Sequence, residues 1–310
     1  MTSLSIVIPL KDEAQSLPPL YQELKLSLDS LHKPYEIIFV DDGSTDKSAS
    51  ILLKLTRQDP SVKIITFRAS LGKSEALAVG FRKAKGVVIA TLDADLQDDP
   101  GQLPLLLAQI DKGYDLVVGW RKKRFDHPVK ILSTRLFNFI TSLVSKTKLH
   151  DINCGLKVFT KNVAQEIYLY GELHRFIPIL AERKKFKVTE VVVKHRPRKY
   201  GLSKYGSFGL SRGWKGFIDL FTSLFITDFS TKPAHFFGSF GIAFFLLGFI
   251  MDAYVTYIKI TTGFIQGKVP LLLAGVLFIL LGVQLISTGL IAEMIIYYFH
   301  RSPDRNKTLQ

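Results

Sequence analysis

The sequence predicts an α/β protein with a mostly parallel, doubly wound sheet that continues into membrane-crossing helices. Three observations carry this. Short β-branched runs alternate with helical stretches from Leu4 to Trp120, the pattern of a parallel sheet covered on both faces. Two of those runs stop abruptly in acid, at Asp41-Asp42 and at Asp93-Ala94-Asp95, and open α/β sheets bind ligands beyond the carboxyl ends of their strands. Past about Ser230 the composition shifts to two long apolar runs.

Leu4 to Leu10 reads as the first strand, ended by Pro9, and a helix follows from about Glu13 to Leu31. Glu36 to Val40 is the second strand, running into Asp41-Asp42-Gly43-Ser44-Thr45-Asp46, a turn and helix start with Thr45 or Asp46 as N-cap. That helix runs to about Arg57, Val62 to Phe67 is a third strand, and Gly72 to Lys85 a third helix. Gly86 to Leu92 is a fourth strand, buried on both faces because Val87, Val88, Ile89 and Ala90 are β-branched or small. Pro100 to Lys112 is helical and Asp115 to Trp120 is a fifth strand.

The pattern then changes. Arg121-Lys122-Lys123-Arg124 is a basic loop, Pro128 to Lys146 an amphipathic helix, and Asp151 to Phe159 extended. A helix is predicted over 173–184 and an alternating strand over 186–195, followed by a second basic loop from Arg196 to Gly206. Ser207 to Phe229 reads as a helix in the membrane interface.

The two apolar runs are long enough to span. Phe236 to Ile258 has 23 residues with one charge, Asp252, or about 34 Å as a helix. The second span runs from Val269 to Phe299 and is interrupted by Glu293, where snorkelling to the span end is expected. The loop between them carries only Lys259 and Lys268, whereas His300, Arg301, Arg305 and Lys307 follow the second span. The positive-inside rule then places both termini and the large domain in the cytoplasm. The net charge of +14 calls for a polyanionic partner, and the apolar tail favours anionic lipid over nucleic acid. Cys154 is the only cysteine, so neither an intrachain disulfide nor a thiolate zinc site can form.

The chemistry concentrates at Asp93, Asp95, Asp98 and Asp99. If the chain stays extended past the strand, Asp93 and Asp95 point to one side and, with the Gln97 amide, make a hard oxygen site for Mg²⁺ or Mn²⁺. The competing reading is an acidic loop in which Asp98 or Asp99 caps a helix with Pro100 at its first position. No G-x-G-x-x-G or Walker A pattern occurs, and Gly72-Lys73 alone reads as a helix start.

Taken together, I-V-I-P-L-K-D-E at 6–13, E-I-I-F-V-D-D-G-S-T-D at 36–46, T-L-D-A-D-L-Q-D-D-P at 91–100 and V-G-W-R at 118–121 resemble the family 2 glycosyltransferases of GT-A fold. With D-I-N-C-G-L-K-V-F at 151–159, H-R-F-I-P-I-L-A at 174–181, H-R-P-R-K-Y-G-L-S-K-Y-G at 195–206 and two spans, the chain resembles their membrane-anchored polyprenyl-phosphate branch. The resemblance implies a GT-A domain over 1–206, a juxtamembrane amphipathic helix over 207–231, spans at 236–258 and 269–299, and a cytoplasmic tail over 300–310. It implies that Asp93, Asp95 and Gln97 hold Mg²⁺ or Mn²⁺ and that Pro9, Glu13, Asp41, Asp42, Ala94, Asp95 and Gln97 line the donor site. Arg198 and Lys204 would close on the donor diphosphate, while Arg121, Arg124 and Arg135 would receive the acceptor phosphate. Asp151 falls where a carboxylate near the reacting carbon is expected, so the catalytic set is Asp93, Asp95, Asp151 and Arg121. Lys11 and Asp12 stand where the family commonly carries an aromatic and an asparagine, a departure at the nucleobase pocket.

The activity so implied is inverting transfer of one sugar from a nucleotide-diphosphate sugar to undecaprenyl or dolichyl phosphate, at the cytoplasmic face of a bacterial inner membrane. A homo-oligomer assembled through the spans is left open. Two other readings compete. A processive polysaccharide synthase would carry Q-x-x-R-W and more spans, and Arg212-Gly213-Trp214 is not that motif. A silent membrane scaffold would not need the acid and basic clusters.

Overall fold

The computed structural model describes residues 3–122, 149–197, 199–200, 232–265 and 267–301. The chain divides into two units, residues 1–223 and 224–310. The predicted helices over 128–146 and 207–229 lie outside the described residues.

The first unit is built on a mixed, mostly parallel sheet of seven strands among the described residues, in the order β3-β2-β1-β4-β6-β5-β7. Its elements are β1 Leu4–Leu10, α1 Leu17–Asp29, β2 Tyr35–Asp41, α2 Ser48–Gln58, β3 Val62–Thr66, α3 Lys73–Lys83 and β4 Val88–Thr91. There follow a 3₁₀ turn Pro100–Gln102, α4 Leu103–Asp111, β5 Leu116–Trp120, β6 Lys157–Thr160 and α5 Lys161–Glu166. A 3₁₀ turn Leu173–Phe176, α6 Ile177–Arg183 and β7 Val188–Val192 complete it.

β1, β2, β3 and β4 pair in parallel, as do β5 and β7. β6 runs antiparallel to both β4 and β5. The predicted extended segment from Asp151 forms ladder only from Lys157, and α5 follows it where no helix was expected. The predicted fourth strand is also shorter, because Val87 lies outside the sheet and is 66 % exposed.

The apolar runs become the core. Ile6, Val7, Ile8, Ile37, Phe39, Val40, Ile89, Ala90, Val117 and Val158 are essentially inaccessible, as strands sandwiched between helices must be. Phe81 of α3 meets Phe159 of β6 edge-on at 5.1 Å. At the amino edge, buried Glu36 accepts from Ser5 Oγ and Lys85 N, both at 2.6 Å, and pairs with Lys63.

Asp59 clasps the elements at the end of α2. It accepts from Ser61 N at 2.8 Å, Ser61 Oγ at 2.6 Å and Tyr21 hydroxyl at 2.8 Å, and pairs with Lys25 at 3.2 Å. Burial raises its carboxyl pKa, but these donors outweigh burial and hold it at about 2. The folded value lies below the unfolded one, so Asp59 stabilises the fold above about pH 4, and that stability is lost as pH falls through 2. Asp59→Asn is expected to cost about 1–3 kcal/mol at pH 7. In denaturant titrations at stepped pH, its gap from wild type should narrow between about pH 4 and 2.

The second unit is a helical hairpin of α7, Pro233–Thr262, and α8, Val269–Arg301. Both helices are long and apolar enough to cross a membrane, and only 11 % of the most apolar stretch of each is buried. A core helix of a soluble domain would be mostly buried, and these are not. Their seam is made of small residues at a spacing of seven: Gly241 meets Gly282, Gly248 meets Gly275 and Ala234 meets Gly289. A seven-residue repeat keeps one stripe in register along two supercoiled helices, and small residues let the backbones approach closely in lipid. Asp252 faces α8 at Gly275, with Oδ1 buried and lacking a hydrogen-bond partner. At the span end, Glu293 Oε2 accepts from Ala234 N at 3.2 Å and caps the first turn of α7. A Cβ on Gly275 would lie 2.0 Å from Asp252 Oδ1. Gly275→Leu should therefore lower the melting temperature of the detergent-solubilised chain by several degrees, while Phe249→Ala on the exposed face leaves it unchanged.

Candidate active site

Parallel strands share one carboxyl edge, so Leu10, Asp41, Thr91 and Trp120 all end there. The reversed direction of β6 brings its amino side, and with it residues 151–157, to the same edge. Thr91 pairs with Lys157, and Thr91 Oγ1 donates to Gly155 O at 2.9 Å. The acid segment after β4 and the segment before β6 thus face each other.

That acid segment is not extended. A turn starts at Ala94 and Leu96 adopts φ +63, a left-handed conformation that costs about 1–2 kcal/mol in a residue with a side chain. Alternation therefore does not place Asp93 and Asp95 on one side. Asp93 Oδ1 lies 2.5 Å from Lys73 Nζ, while Asp95 Oδ1 accepts from Gln97 N at 3.2 Å. Ala94 is buried at the turn. Asp99 caps the turn at Pro100, accepting from Gly101 N at 3.0 Å.

Asp98, the other capping candidate, does not cap. It is 4 % exposed, and its backbone bridges to His195 while Arg196 N donates to Gln97 O at 2.9 Å. Its carboxylate converges with that of Asp93 on Gly155, where an added Cβ would stand 2.5 Å from Asp98 Oδ2 and 2.8 Å from Asp93 Cγ. Burial and the Asp93 charge push the Asp98 carboxyl up to about 7. Burial also raises Asp93, but the Lys73 ammonium, with Lys157 behind it, holds Asp93 below its ordinary value.

Three residues not singled out as site residues complete this corner. Lys157 is 4 % exposed, donates to Cys154 O, and is pushed by burial down to about 8. His174 Nδ1 lies 2.9 Å from Ser74 Oγ, and burial and Lys73 keep its pKa well below 6.5, so it is neutral at pH 7. Cys154 is buried, and burial raises its thiol to about 12. Pro9, Lys73, Asp93, Asn153, Gly155 and Lys157 contribute to the lining of a cavity of about 10 Å³, roughly the space of one water. Gly72-Lys73 was the available signal, and it is indeed a helix start, with Gly72 at φ +96.

At the end of β2, Asp41 is fully buried; Oδ1 accepts from Ser44 N at 2.9 Å and Oδ2 has no hydrogen-bond partner. Asp42 holds the loop before α3, taking Ser70 Oγ at 2.7 Å, Leu71 N at 2.6 Å and Gly72 N at 3.1 Å. Glu13 accepts from Ser16 Oγ at 2.9 Å, and Glu13 N donates to Ser48 Oγ at 2.9 Å. Asp12 ties this loop to the second motif by accepting from Thr45 N at 2.7 Å.

Arg121 and Asp151, read as separate site residues, form one buried pair. Nε donates to Oδ2 at 2.7 Å and Nη2 to Oδ1 at 3.0 Å, with Nη2 also on Asn153 O at 3.0 Å. Beside it Trp120 stacks on His150 at 4.1 Å, and His150 pairs with Glu190. Arg124, Arg135, Arg198 and Lys204 lie outside the described residues.

The donor chemistry fits a hard divalent cation incompletely supplied by protein. Among the described residues no three His, Cys, Asp or Glu side chains are grouped to hold a metal alone. One or two carboxylates at the carboxyl edge are what Mg²⁺ uses when substrate phosphates complete its shell.

The glycosyl transferase family 2 model matches residues 5–168, more than half of the chain. The chain belongs to glycosyl transferase family 2. It is 34 % identical over 303 residues to dodecaprenyl-phosphate galacturonate synthase of Rhizobium johnstonii, covering 96 % of this chain and 89 % of that one. It is also 34 % identical over 296 residues to undecaprenyl-phosphate 4-deoxy-4-formamido-L-arabinose transferase of Edwardsiella ictaluri, covering 94 % and 88 %. Glucosyl-3-phosphoglycerate synthase from Mycobacterium tuberculosis in complex with UDP superposes with TM-score 0.56 at 16 % identity, over 73 % of this chain and 80 % of that one. The same enzyme with Mn²⁺ and UDP-glucose gives 0.54 at 15 % identity, over 73 % and 79 %. At such identity the likeness is one of fold, and the fold is GT-A. The family 2 domain is a glycosyltransferase, and its carboxyl edge is the candidate active site.

Gly155→Ala tests the acid corner. The added methyl must move Asp93 or Asp98, so sugar transfer should fall about 10–100-fold, the cost of misplacing a site by an ångström. Circular dichroism and melting temperature should stay near wild type.

Proposed function

We propose that this glycosyltransferase transfers one sugar from a nucleotide-diphosphate sugar to the phosphate of a polyisoprenyl lipid, inverting the anomeric centre. The observation that carries this reading is similarity along nearly the whole chain, apolar hairpin included, to two proteins whose names both specify a polyprenyl-phosphate acceptor. The hairpin suits an acceptor that lies in a bilayer. We place the catalytic part and both termini in the cytoplasm, because the stretch from the last turn of α7 to the start of α8 carries only Lys259 and Lys268. The catalytic domain is assigned to 1–206, joined by 207–231 to the spans.

Asp93, Asp95 and Gln97, with the donor phosphates, would hold Mg²⁺ or Mn²⁺. When bound, that ion supplies Lewis-acid charge against the departing diphosphate. Asp41 is the donor-side anchor: its Oδ2 is a buried acceptor without a protein donor, and a ribose or base donor group satisfies it. Asp42, held by the loop before α3, shapes the same wall. Arg198 and Lys204 are assigned to the donor diphosphate, and Arg124 and Arg135 to the acceptor phosphate.

A phosphate monoester has a second pKa of about 6, so the acceptor is largely a dianion at pH 7 and needs no base. This agrees with Asp151, whose two oxygens are both taken by Arg121. Asp151 orients the guanidinium, and Arg121 presents positive charge to the incoming phosphate. A carboxylate spanned in this way is poorly placed to accept a proton.

Membranes holding the protein, incubated with labelled nucleotide sugars and undecaprenyl phosphate, should yield a lipid phosphate carrying one sugar, identified by mass. A polymer, or no glycolipid with any donor, would overturn the proposal. Asp95→Asn should lower transfer about 100-fold or more, the scale of losing a few kcal/mol of charge stabilisation.

A further inference from the structure

Lys73 opens α3 and is fixed from both sides. Before it, Asp42 takes Leu71 N and Gly72 N; after it, Ser74 Oγ pairs with His174 and accepts from His174 N at 3.1 Å. The backbone is held while the four-carbon stem reaches across to Asp93, 2.5 Å from Oδ1. The two side chains are 35 % and 36 % exposed, so the pair opens to solvent on one side. Asp93 Oδ2 faces Gly155 and the Asp98 carboxylate. Lys73 therefore occupies the carboxylate oxygen that points away from the packed corner.

A divalent ion and an ammonium on that one oxygen would stand within a few ångströms of each other and repel. A lysine displaced from Asp93 remains at the amino end of an 11-residue helix, where the helix dipole and first-turn N–H groups favour an anion. The donor's diphosphate is an anion of that kind and brings oxygens for the metal as well.

Resting on the metal-dependent reading above, we propose that Lys73 is the resident counter-cation of Asp93, exchanging that carboxylate for the donor diphosphate as the divalent ion arrives. Lys73 thereby couples the two ligands. The ion binds poorly without a nucleotide diphosphate because it must displace Lys73 with nothing to receive it. With the diphosphate present, the ammonium moves from one anion to another. By linkage, each ligand tightens the other by the same factor.

The test is calorimetric and needs no turnover. Mn²⁺ is titrated into the full-length protein in detergent, alone and with saturating UDP or GDP. In wild type the nucleotide should tighten Mn²⁺ binding about tenfold or more. Lys73→Met should bind Mn²⁺ alone about tenfold more tightly and reduce the coupling by about the same factor, leaving the part that the diphosphate oxygens contribute. Lys73→Arg should restore coupling, and Lys73→Gln serves if the methionine variant fails to fold. A neutral variant that binds Mn²⁺ alone no more tightly, or keeps the full coupling, overturns the proposal. Absence of Mn²⁺ binding by wild type with either nucleotide would instead overturn the metal reading beneath it, and the exchange with it.

Discussion

β6 lies between β4 and β5 and runs against both, and the assembly of the site depends on this reversal. A parallel strand in that place would carry residues 151–157 to the amino edge. Because it is reversed, Gly155 backs onto the carboxylates of Asp93 and Asp98, Lys157 lies beneath them, and Asp151 meets Arg121 at the end of β5. One short strand and the segment before it therefore bring Asp151, Asn153 and Lys157 to the edge. Thr91 pairs with Lys157 in the ladder, so moving β6 by one residue would send Lys157 to the other face of the sheet.

The charges gathered at that edge are arranged in close opposition. Asp93 faces Lys73, Asp151 faces Arg121, and Asp98, with a carboxyl near 7, exists partly as the neutral acid at physiological pH. A buried ion pair is costly to break from one side, because the remaining charge is left without a partner. The pairs at this site differ in that respect. Arg121 and Asp151 are nearly sealed, with side chains 12 % and 5 % exposed, whereas Lys73 and Asp93 are each about one-third open. The sealed pair is built to stay, and the open pair is built to be exchanged.

Much of this was legible in the sequence where local chemistry decides the outcome. The strands up to Trp120, the acid at their ends and the two apolar helices follow from side-chain periodicity and composition. Asp93 and Asp41 were legible as strand-end carboxylates. The pairing of Lys73 with Asp93 and of Arg121 with Asp151 was not, because each joins segments far apart along the chain through the sheet order. The direction of β6 was equally hidden: a four-residue strand carries no mark of orientation. Asp98 and Asp99 are adjacent and chemically identical, and only the bridge to His195 separates the buried one from the cap. Glu293 was read by its depth in the span, whereas the open first turn of α7 determines its partner.

Cys154 lies among these groups as the only thiol in the chain, buried and protonated up to about 12. Thiol reagents and mild oxidants act on the thiolate, so the buried Cys154 should react with them far more slowly than an exposed cysteine. Any cysteine placed on an exposed position would then be chemically alone, without first removing the native one. Sidedness of the loop after α7, or distances between two chosen points, can be read by labelling the otherwise natural protein.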